Sequence, residues 1–292
     1  MTKEPELFIV GSESFVGKNL KKHCLKRDIQ YRGVDLIESD DPNSHKIDIC
    51  DPHLVDLIPA GSVIVHLAAI SRDSDCSENP ALANRVNIEG TLNLLRCAQM
   101  KNARQFIFAS SEWVYGQVLN EEEQKESDKI EVHLLESVYA ITKAICERYL
   151  KLLRKDLDVT VLRFGIIYGP RPSNWSAVES LFDSVRKKSE LSVGSLKAGR
   201  RFIHVDDICE AIIAAIGQTG YEIFNISGDT TISLQEIINE SKRISGCSPH
   251  VIESAPEKVS LRNPTNAKAK SLLNWRPEIS LSEGLKTLLT IY

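Results

Sequence analysis

Two side chains capable of acid–base chemistry lie in the segment YAITK, at residues 139–143. If this segment is helical, Tyr139 and Lys143 lie one turn apart on the same face. A free tyrosine has a pKa of about 10 and is a poor base at neutral pH, but a nearby cation favours the phenolate. The pair therefore predicts a base that removes a proton from a hydroxyl group while hydride leaves the same carbon.

A further hydroxyl group follows the apolar run QFIFAS at residues 105–110. The carboxyl end of a strand is where ligands approach an open α/β sheet. Ser111 could there hydrogen-bond the reacting oxygen and share its proton with Tyr139. A serine at a strand end could also simply cap a turn. Ser111 is therefore evidence for a catalytic site only in combination with the Tyr139–Lys143 pair.

A glycine-containing turn, GSESFVG at residues 11–17, follows the first apolar run. Glycines let backbone amides approach a pyrophosphate at a helix N-terminus, where the dipole favours anions. An ordinary strand-to-helix turn is the alternative, since Ser14 replaces the middle glycine of the GxxGxxG pattern. The turn alone is weak evidence for a nucleotide site.

Asp35 strengthens the nucleotide hypothesis because it ends the second predicted strand. A carboxylate there can accept hydrogen bonds from the adenosine ribose and would repel a 2′-phosphate. Together with the turn it predicts dinucleotide binding, with NAD favoured over NADP, although Arg32 could tolerate a phosphate. Asp48 and Ile49, in a third predicted strand at residues 46–49, could bracket the adenine edge or form a plain solvated strand end.

Apolar runs alternate with helical periodicity through the first half of the chain. Strands are predicted at residues 7–10, 31–35, 46–49, 63–69, 105–110 and 159–164, and helices at 17–26, 84–100 and 137–154. This alternation predicts an α/β fold, with a doubly wound parallel sheet and helices on both faces. After residue 169 the rhythm breaks, which predicts a smaller C-terminal substrate-binding domain. The predicted NAD-binding domain spans residues 1–165 plus 201–227, and the substrate-binding domain spans 166–200 plus 228–292.

The composition excludes several classes of protein. Of the 292 residues, 36 are Lys or Arg and 40 are Asp or Glu, and the acidic excess lies in residues 121–131. The rest of the chain is neutral, which argues against nucleic-acid binding. No apolar run approaches the roughly 18 residues of a membrane span. Seven scattered cysteines without a CxxC motif predict reduced thiols, a cytoplasmic protein and no metal site.

A series of motifs recurs in order along the chain. The motifs are the turn at 11–17, Asp35, HLAA at 66–69, NIEGT at 87–91, SSEWVYG at 110–116, YAITK at 139–143, LRFGIIYGPR at 162–171, RFIHVDD at 201–207 and LNWRP at 273–277. This series resembles the extended short-chain dehydrogenases, the NAD-dependent epimerase/dehydratase family of nucleotide-sugar enzymes. The resemblance covers nearly the whole chain.

The resemblance implies a Rossmann domain, tightly bound NAD that is recycled within each turnover, and a nucleoside-diphosphate-sugar substrate. Ser111, Tyr139 and Lys143 match the catalytic trio of the family. The cofactor-binding residues it implies, together with those predicted above, are Gly11, Ser14, Phe15, Val16, Gly17, Asp35, Asp48, Ile49, Leu67, Ala68, Ala69, Asn87, Ala109, Tyr139, Lys143 and Phe164. Arg200 and Arg262 match arginines that contact the substrate, Ser111 also faces the substrate, and Arg171 is a weaker candidate for the phosphates.

The chain departs from the family pattern beside Ser111. Glu112 and Trp113 fill the next two positions, where simple 4-epimerases have small residues and glucose 4,6-dehydratases have two acids. Ile166 also stands where many members carry an asparagine. Trp113 is interpreted as a packed core residue or, less favoured, a platform for the sugar ring.

Four functions therefore remain open, and an epimerase acting through a transient 4-keto sugar is favoured. The main alternative is a dehydratase that uses Glu112 as acid or base, but one glutamate without its usual partner is incomplete. A net dehydrogenase and a non-catalytic NAD-binding regulator are the other two. The apolar stripes of the helices around residues 87–100 and 137–154 predict a homodimer, because the resemblance implies that these helices pair between subunits.

Overall fold

A computed structural model describes residues 6–116, 122–173 and 176–291. The strands, in chain order, are β1 Leu7–Val10, β2 Tyr31–Asp35, β3 Ser44–Lys46, β4 Val63–His66, β5 Gln105–Ser111, β6 Asp158–Phe164, β7 Ile167–Tyr168, β8 Glu190–Val193, β9 Gly199–Arg200, β10 Ile203–His204, β11 Tyr221–Ile226, β12 Ile232–Ser233 and β13 His250–Glu253. The α-helices are α1 Phe15–Lys26, α2 Leu54–Leu57, α3 Asp73–Glu78, α4 Pro80–Ala83, α5 Gly90–Met100, α6 Val138–Leu153, α7 Ala177–Lys187, α8 Val205–Ala214, α9 Leu234–Ser245, α10 Ala267–Leu272 and α11 Leu281–Leu288. A π-helical turn at Asn84–Glu89 and 3-10 turns at Glu112–Tyr115 and Val132–Leu134 complete the described elements.

The chain forms two compact units. The first comprises the described residues within Met1–Gly116, Lys129–Arg163 and Cys209–Phe224, and the second those within Gln117–Asp128, Phe164–Ile208 and Asn225–Tyr292. Assignment of NAD binding and substrate binding to the two predicted domains remains a prediction.

A seven-stranded sheet, in the order β11-β6-β5-β4-β1-β2-β3, forms the centre of the first unit. β1 pairs in parallel with both β2 and β4, β2 pairs with β3, and β4 pairs with β5. The chain order runs outwards from β1 in both directions. This confirms the predicted α/β fold with a doubly wound parallel sheet.

Both faces of this sheet are buried, as expected for parallel strands joined by helices. Residues Phe8, Ile64 and Phe106 pack in one cluster with side chains of α2, α5 and α6. Successive strand residues point to opposite faces, and the alternate residues Ile9 and Val65 are also fully buried. The rigid sheet therefore holds the loops at its carboxyl edge.

Three predicted elements differ from those in the structure. The strand predicted at residues 63–69 ends at His66. The third strand is Ser44–Lys46, and the prediction of residues 46–49 was wrong. Its backbone pairs with residues of β2 up to Asp35, and the Asp48 carboxylate then accepts the amide of Cys50, which turns the chain away. The helix predicted at residues 84–100 is present, but its first six residues form a π-helical turn that runs directly into α5.

The second unit has a separate apolar core. Phe182 of α7, Ile237 of α9 and Leu285 of α11 are among its buried residues. Within this unit Trp275 Nε1 donates to the carbonyl oxygen of Asp207 at 3.1 Å. The Asp207 carboxylate also accepts the backbone amides at residues 278 and 279. The motifs RFIHVDD and LNWRP are therefore joined by hydrogen bonds. In the described part of the chain, no helix has the length and apolar character needed to cross a membrane.

Candidate active site

The predicted site residues of the first unit follow four adjacent strands of the sheet. The turn at residues 11–17 follows β1, Asp35 ends β2, Leu67 follows β4 and Ser111 ends β5. These strands lie side by side in the order β5-β4-β1-β2. Because the pairs are parallel, their carboxyl ends lie at one edge, where ligands bind in open α/β sheets.

The turn after β1 is tight because two of its residues are glycines. Gly11 has a φ of +90°, and a Cβ built on it would lie 2.6 Å from the amide nitrogen of Ala68. A Cβ on Gly17 would lie 2.2 Å from the carbonyl oxygen of Gly11. Ser14 caps α1, with its hydroxyl accepting the Gly17 amide at 3.0 Å. The replacement of the middle glycine therefore supplies a helix cap and leaves the turn intact.

Asp35 lies beside this turn, and Arg32 is engaged elsewhere. The Asp35 carboxylate accepts the Glu13 amide at 2.8 Å and the Ile37 amide at 3.1 Å. The Arg32 guanidinium donates to the Leu57 carbonyl oxygen at 3.1 Å. Asp35 is thus held at the carboxyl end of β2 by backbone amides.

Asn87 joins the segment after β4 to the π-helical turn and to α6. Its side chain accepts the Ile70 amide at 2.8 Å and donates to the Ile70 carbonyl oxygen at 3.0 Å and to Thr142 Oγ1 at 3.1 Å. Leu67, Ala68 and Ala69 are half-buried in the same segment. The structure therefore places Asn87 next to the segment of Leu67, Ala68 and Ala69, and all four were predicted to bind the cofactor.

The predicted adenine-bracketing pair follows β3. The Asp48 carboxylate accepts a hydrogen bond from Arg85 at 2.8 Å, and Ile49 is buried. Arg85 lies in the π-helical turn, a type of turn that often occurs at functional sites. Arg85 was not predicted from the sequence. A local backbone irregularity of this kind has no simple sequence signal.

Tyr139, Lys143 and Ser111 come together as predicted. The ammonium of Lys143 lies 5.7 Å from the centroid of the Tyr139 ring and donates to the Ala109 carbonyl oxygen at 2.8 Å. Ser111 hydrogen-bonds the Tyr139 side chain, and its hydroxyl accepts the Trp113 amide at 3.3 Å. Ser111 therefore caps a turn and contacts Tyr139 at the same time.

Burial sets the protonation of this group. It raises the pKa of Tyr139, and the Ser111 hydrogen bond acts in the opposite direction. Burial also lowers the pKa of Lys143 to about 8. In the protein alone, the net pKa of Tyr139 is therefore raised, because burial opposes the phenolate. The lowering of this pKa by Lys143 remains a prediction.

Asp73 anchors the N-terminus of α6, next to Tyr139. Its Oδ1 accepts the Ser137 hydroxyl at 2.7 Å and the Tyr139 amide at 3.2 Å. Ser137 in turn caps α6 by accepting the Ala140 amide. Asp73, the first residue of α3, was not predicted from the sequence, because an aspartate in a polar segment has no pattern that identifies its partner.

Glu112 and Trp113 begin the 3-10 turn that follows Ser111. The Glu112 side chain is 0% exposed. Trp113 is half-buried and packs against a cluster that contains Val114 and Leu135. This packing agrees with the favoured interpretation of Trp113 as a core residue.

The remaining predicted residues lie in the second unit. Phe164 ends β6 and is buried. The Arg171 guanidinium pairs with the buried carboxylate of Glu179, with Nε and Oε1 separated by 2.8 Å. Arg200 and Arg262 are both half-buried, and both contact the Gly199 carbonyl oxygen, through the Arg200 guanidinium and the Arg262 amide. Within this unit Arg200 and Arg262 thus lie close together, whereas Arg171 is engaged by an acid.

Across residues 6–116, 122–173 and 176–291, no group of three or more His, Cys, Asp or Glu side chains is arranged to hold a metal ion.

Comparison with known proteins agrees with this geometry. Residues 7–227 match the sequence model of the NAD dependent epimerase/dehydratase family. The chain is 29% identical to the UDP-glucuronate 4-epimerase of Thermodesulfobacterium geofontis, over 95% of this chain and 93% of that protein. It is 28% identical to the UDP-N-acetyl-alpha-D-glucosaminuronate decarboxylase of Bacillus cytotoxicus, over 95% and 94%. The structure of a Thermotoga maritima UDP-glucose 4-epimerase with UDP-glucose superimposes with a TM-score of 0.87 at 25% identity, covering 98% of each chain.

Proposed function

Because this chain belongs to the NAD-dependent epimerase/dehydratase family of nucleotide-sugar enzymes, we propose that it is a UDP-sugar 4-epimerase acting through a transient 4-keto sugar. The observation that carries this proposal is the contact of Tyr139 with Ser111 and Lys143 at the carboxyl edge of the sheet. The nucleotide is proposed from the UDP-sugar relatives.

The turn after β1 fits a dinucleotide, since a side chain on Gly11 or Gly17 would overlap the backbone beside it. We propose that this turn holds the pyrophosphate and that Asp35 accepts the adenosine ribose hydroxyls. Leu67, Ala68, Asn87 and Ala109 would line the site further along the edge. When bound, NAD supplies a hydride acceptor and a positive nicotinamide charge.

NAD is proposed over NADP because of the residues around the end of β2. The Asp35 carboxylate would repel a 2′-phosphate. The next two residues, Leu36 and Ile37, are apolar and 65% and 63% exposed, and so offer no cation to a phosphate. The guanidinium of Arg32 is bonded to the Leu57 carbonyl oxygen.

The proton chemistry is assigned to three side chains. Tyr139 would take the proton of the sugar hydroxyl as hydride leaves the same carbon, and would return it after the ketone has turned over. Ser111, already bonded to Tyr139, would donate to the reacting oxygen. The Lys143 ammonium would stabilise the phenolate and, with a pKa of about 8, is mostly protonated at neutral pH.

The burial of Glu112 favours the epimerase over the dehydratase. A dehydratase base must touch the C5 hydrogen of the keto sugar, but the Glu112 side chain is 0% exposed. Ser111, which would contact the sugar, retains 7% exposure. An epimerase needs only the hydride and proton transfers at one carbon.

Arg200 and Arg262 are proposed as ligands of the substrate diphosphate. Arg171 is a less favoured candidate, because its guanidinium is paired with Glu179.

A homodimer is proposed from the apolar surface of α5 and α6. Met100, Tyr149, Leu152 and Leu153 are 59%, 39%, 60% and 46% exposed. A second copy of these helices would cover this surface.

The function is tested by incubating the purified protein with UDP-, dTDP-, GDP- and CDP-sugars in deuterated solvent. Epimerisation yields a stereoisomer without deuterium at C5, whereas dehydration yields a product lighter by one water, with C5 exchange. Glu112→Gln should cost an epimerase little and should stall a dehydratase after reduction of bound NAD. C5 exchange that disappears in Glu112→Gln would establish the dehydratase instead.

A further inference from the structure

A buried ion pair lies next to the proposed catalytic groups in the first unit. Glu147 follows Lys143 by one turn of α6, and Arg163 lies on β6. Their side chains are 7% and 3% exposed. Arg163 donates from Nε to Oε1 of Glu147 at 3.0 Å and from Nη2 to Oε2 at 2.7 Å. This bidentate geometry holds both groups in one arrangement.

The same pair reaches the segment that carries Ser111. Ser110 donates to Oε1 of Glu147 at 2.6 Å. Arg163 Nη1 donates to the Tyr115 hydroxyl at 2.9 Å. Ser110 directly precedes Ser111, and Tyr115 ends the 3-10 turn that Ser111 caps. The ion pair thus holds both sides of Ser111 to the helix of Tyr139.

The cost of burying charges indicates that this network has a role other than stability. Desolvation largely offsets the attraction within a buried ion pair, and apolar side chains often stabilise such a position as well. What apolar side chains cannot provide is a directional link from one carboxylate to a helix and two strands.

We propose that Glu147 is a positioning residue, which fixes Tyr139 of α6 relative to Ser111 of β5 and keeps a negative charge near Lys143. It acts through these residues and is not itself a catalytic group. This inference rests on the proposed function, because it assumes that Tyr139, Ser111 and Lys143 carry out the reaction.

Two helices present titratable groups that raise the pKa of Lys143. Cys146 and Glu147 lie on α6 and Cys76 on α3, and all three act to raise the pKa of Lys143 against the effect of burial. Burial raises the pKa of both cysteine thiols, so they are neutral. Glu147, which forms the ion pair with Arg163, supplies the negative charge among the three.

The other two groups near Lys143 are also neutral at physiological pH. Burial raises the pKa of the Tyr139 hydroxyl. His66 of β4 has a lowered pKa, first because of burial and then because of Lys143. Removing the Glu147 charge should therefore lower the pKa of Lys143, and the ammonium should be lost at a lower pH.

The test uses three variants. Glu147→Gln alone would leave the Arg163 charge buried and unpaired, so it is combined with Arg163→Met. Ser110→Ala removes one hydrogen bond to the carboxylate and keeps the ion pair. Tyr221→Phe is the matched control, because the Tyr221 hydroxyl donates to the backbone oxygen of Glu147 at 2.9 Å and leaves its carboxylate untouched.

The measurements are kcat and KM across pH on the NAD-loaded enzyme, with UDP-glucose and UDP-glucuronate as probes, and the absorbance of transiently reduced NAD. The double variant should lose up to about 100-fold in kcat, as expected for a small displacement of reacting groups. Its KM should change little, and the alkaline limb of its pH profile should move to lower pH. Ser110→Ala should lose less kcat than the double variant and should keep the wild-type alkaline limb. Tyr221→Phe should keep both the wild-type kcat and the wild-type alkaline limb.

A wild-type kcat and alkaline limb in the double variant would overturn the inference, as would an equal loss of kcat in Tyr221→Phe. If the double variant does not fold, the kcat of Ser110→Ala provides the test. A kcat of Ser110→Ala equal to that of Tyr221→Phe would then overturn the inference. Tyr139→Phe is measured in parallel. If it retains wild-type turnover, the proposed function itself fails, whereas an inactive Tyr139→Phe beside an unaffected double variant rejects only the role of Glu147.

Discussion

The contact of Gly11 with the segment after β4 allows a test that separates steric overlap from backbone strain. A Cβ on Gly11 would lie 2.6 Å from the Ala68 nitrogen and 2.9 Å from the Leu67 carbonyl carbon. Both are backbone atoms and cannot rotate away. Gly217 has the same φ of +90°, but nothing lies within 4 Å of the position of its Cβ. Gly217→Ala is therefore a matched control for Gly11→Ala.

The expected magnitudes follow from these two geometries. A side chain at such a positive φ costs about 1–2 kcal/mol, which applies to both variants. Overlap with backbone adds about 1–3 kcal/mol, as in overpacked cores, and applies to Gly11→Ala alone. The free energy of unfolding should thus fall by about 1–2 kcal/mol for Gly217→Ala and by about 2–5 kcal/mol for Gly11→Ala.

Urea unfolding followed by circular dichroism measures the free energies, and calorimetric titration measures NAD binding. Gly11→Ala must displace either its own turn or the segment at residues 67–68, so NAD affinity should fall with stability. Gly217→Ala should keep wild-type affinity. Equal losses of stability in the two variants, or unchanged NAD binding by Gly11→Ala, would refute the reasoning.

Three further predictions concern the reaction, the cofactor and assembly. Tyr139→Phe should keep the fold and bound NAD and lose about 100-fold or more in turnover; activity within about threefold of wild type would exclude Tyr139 as the base. Asp35→Ser should weaken NAD binding about tenfold or more, through the loss of charged hydrogen bonds, and should reduce the difference in affinity between NAD and NADP. Tighter binding of NADP than of NAD by the wild type would contradict this. Light scattering should show a dimer that Leu152→Glu disrupts, while Leu25→Glu on α1, at a position 67% exposed, should not; a monomeric wild type at micromolar concentration would count against the dimer.

Several features of the fold were predictable because they depend on local patterns. The short apolar runs that form β1, β4 and β5 bury both faces of a strand, and such runs stand out in a sequence. The spacing of Tyr139 and Lys143 places them on one face of any helix. The carboxyl ends of parallel strands share one edge, so the convergence of Asp35 and Ser111 followed from the predicted sheet.

The sequence alone therefore determined the class of fold, the edge at which the site forms and the residue types that meet there. Only the tertiary structure decided which distant side chains hold that site together. Asp73 bonds the backbone of Tyr139 across 66 residues of sequence, and Ser110 bonds Glu147 across 37. Such pairs leave no periodic signal, because each depends on where whole elements pack.

The protonation of the site was decided in the same way. The spacing of Tyr139 and Lys143 predicts that the cation lowers the tyrosine pKa, but the structure buries both groups. Desolvation opposes the charged form of each group, so it raises the pKa of Tyr139 and lowers that of Lys143. The sequence specifies which groups can exchange protons, whereas the solvent exposure that sets their pKa values exists only once the chain has folded.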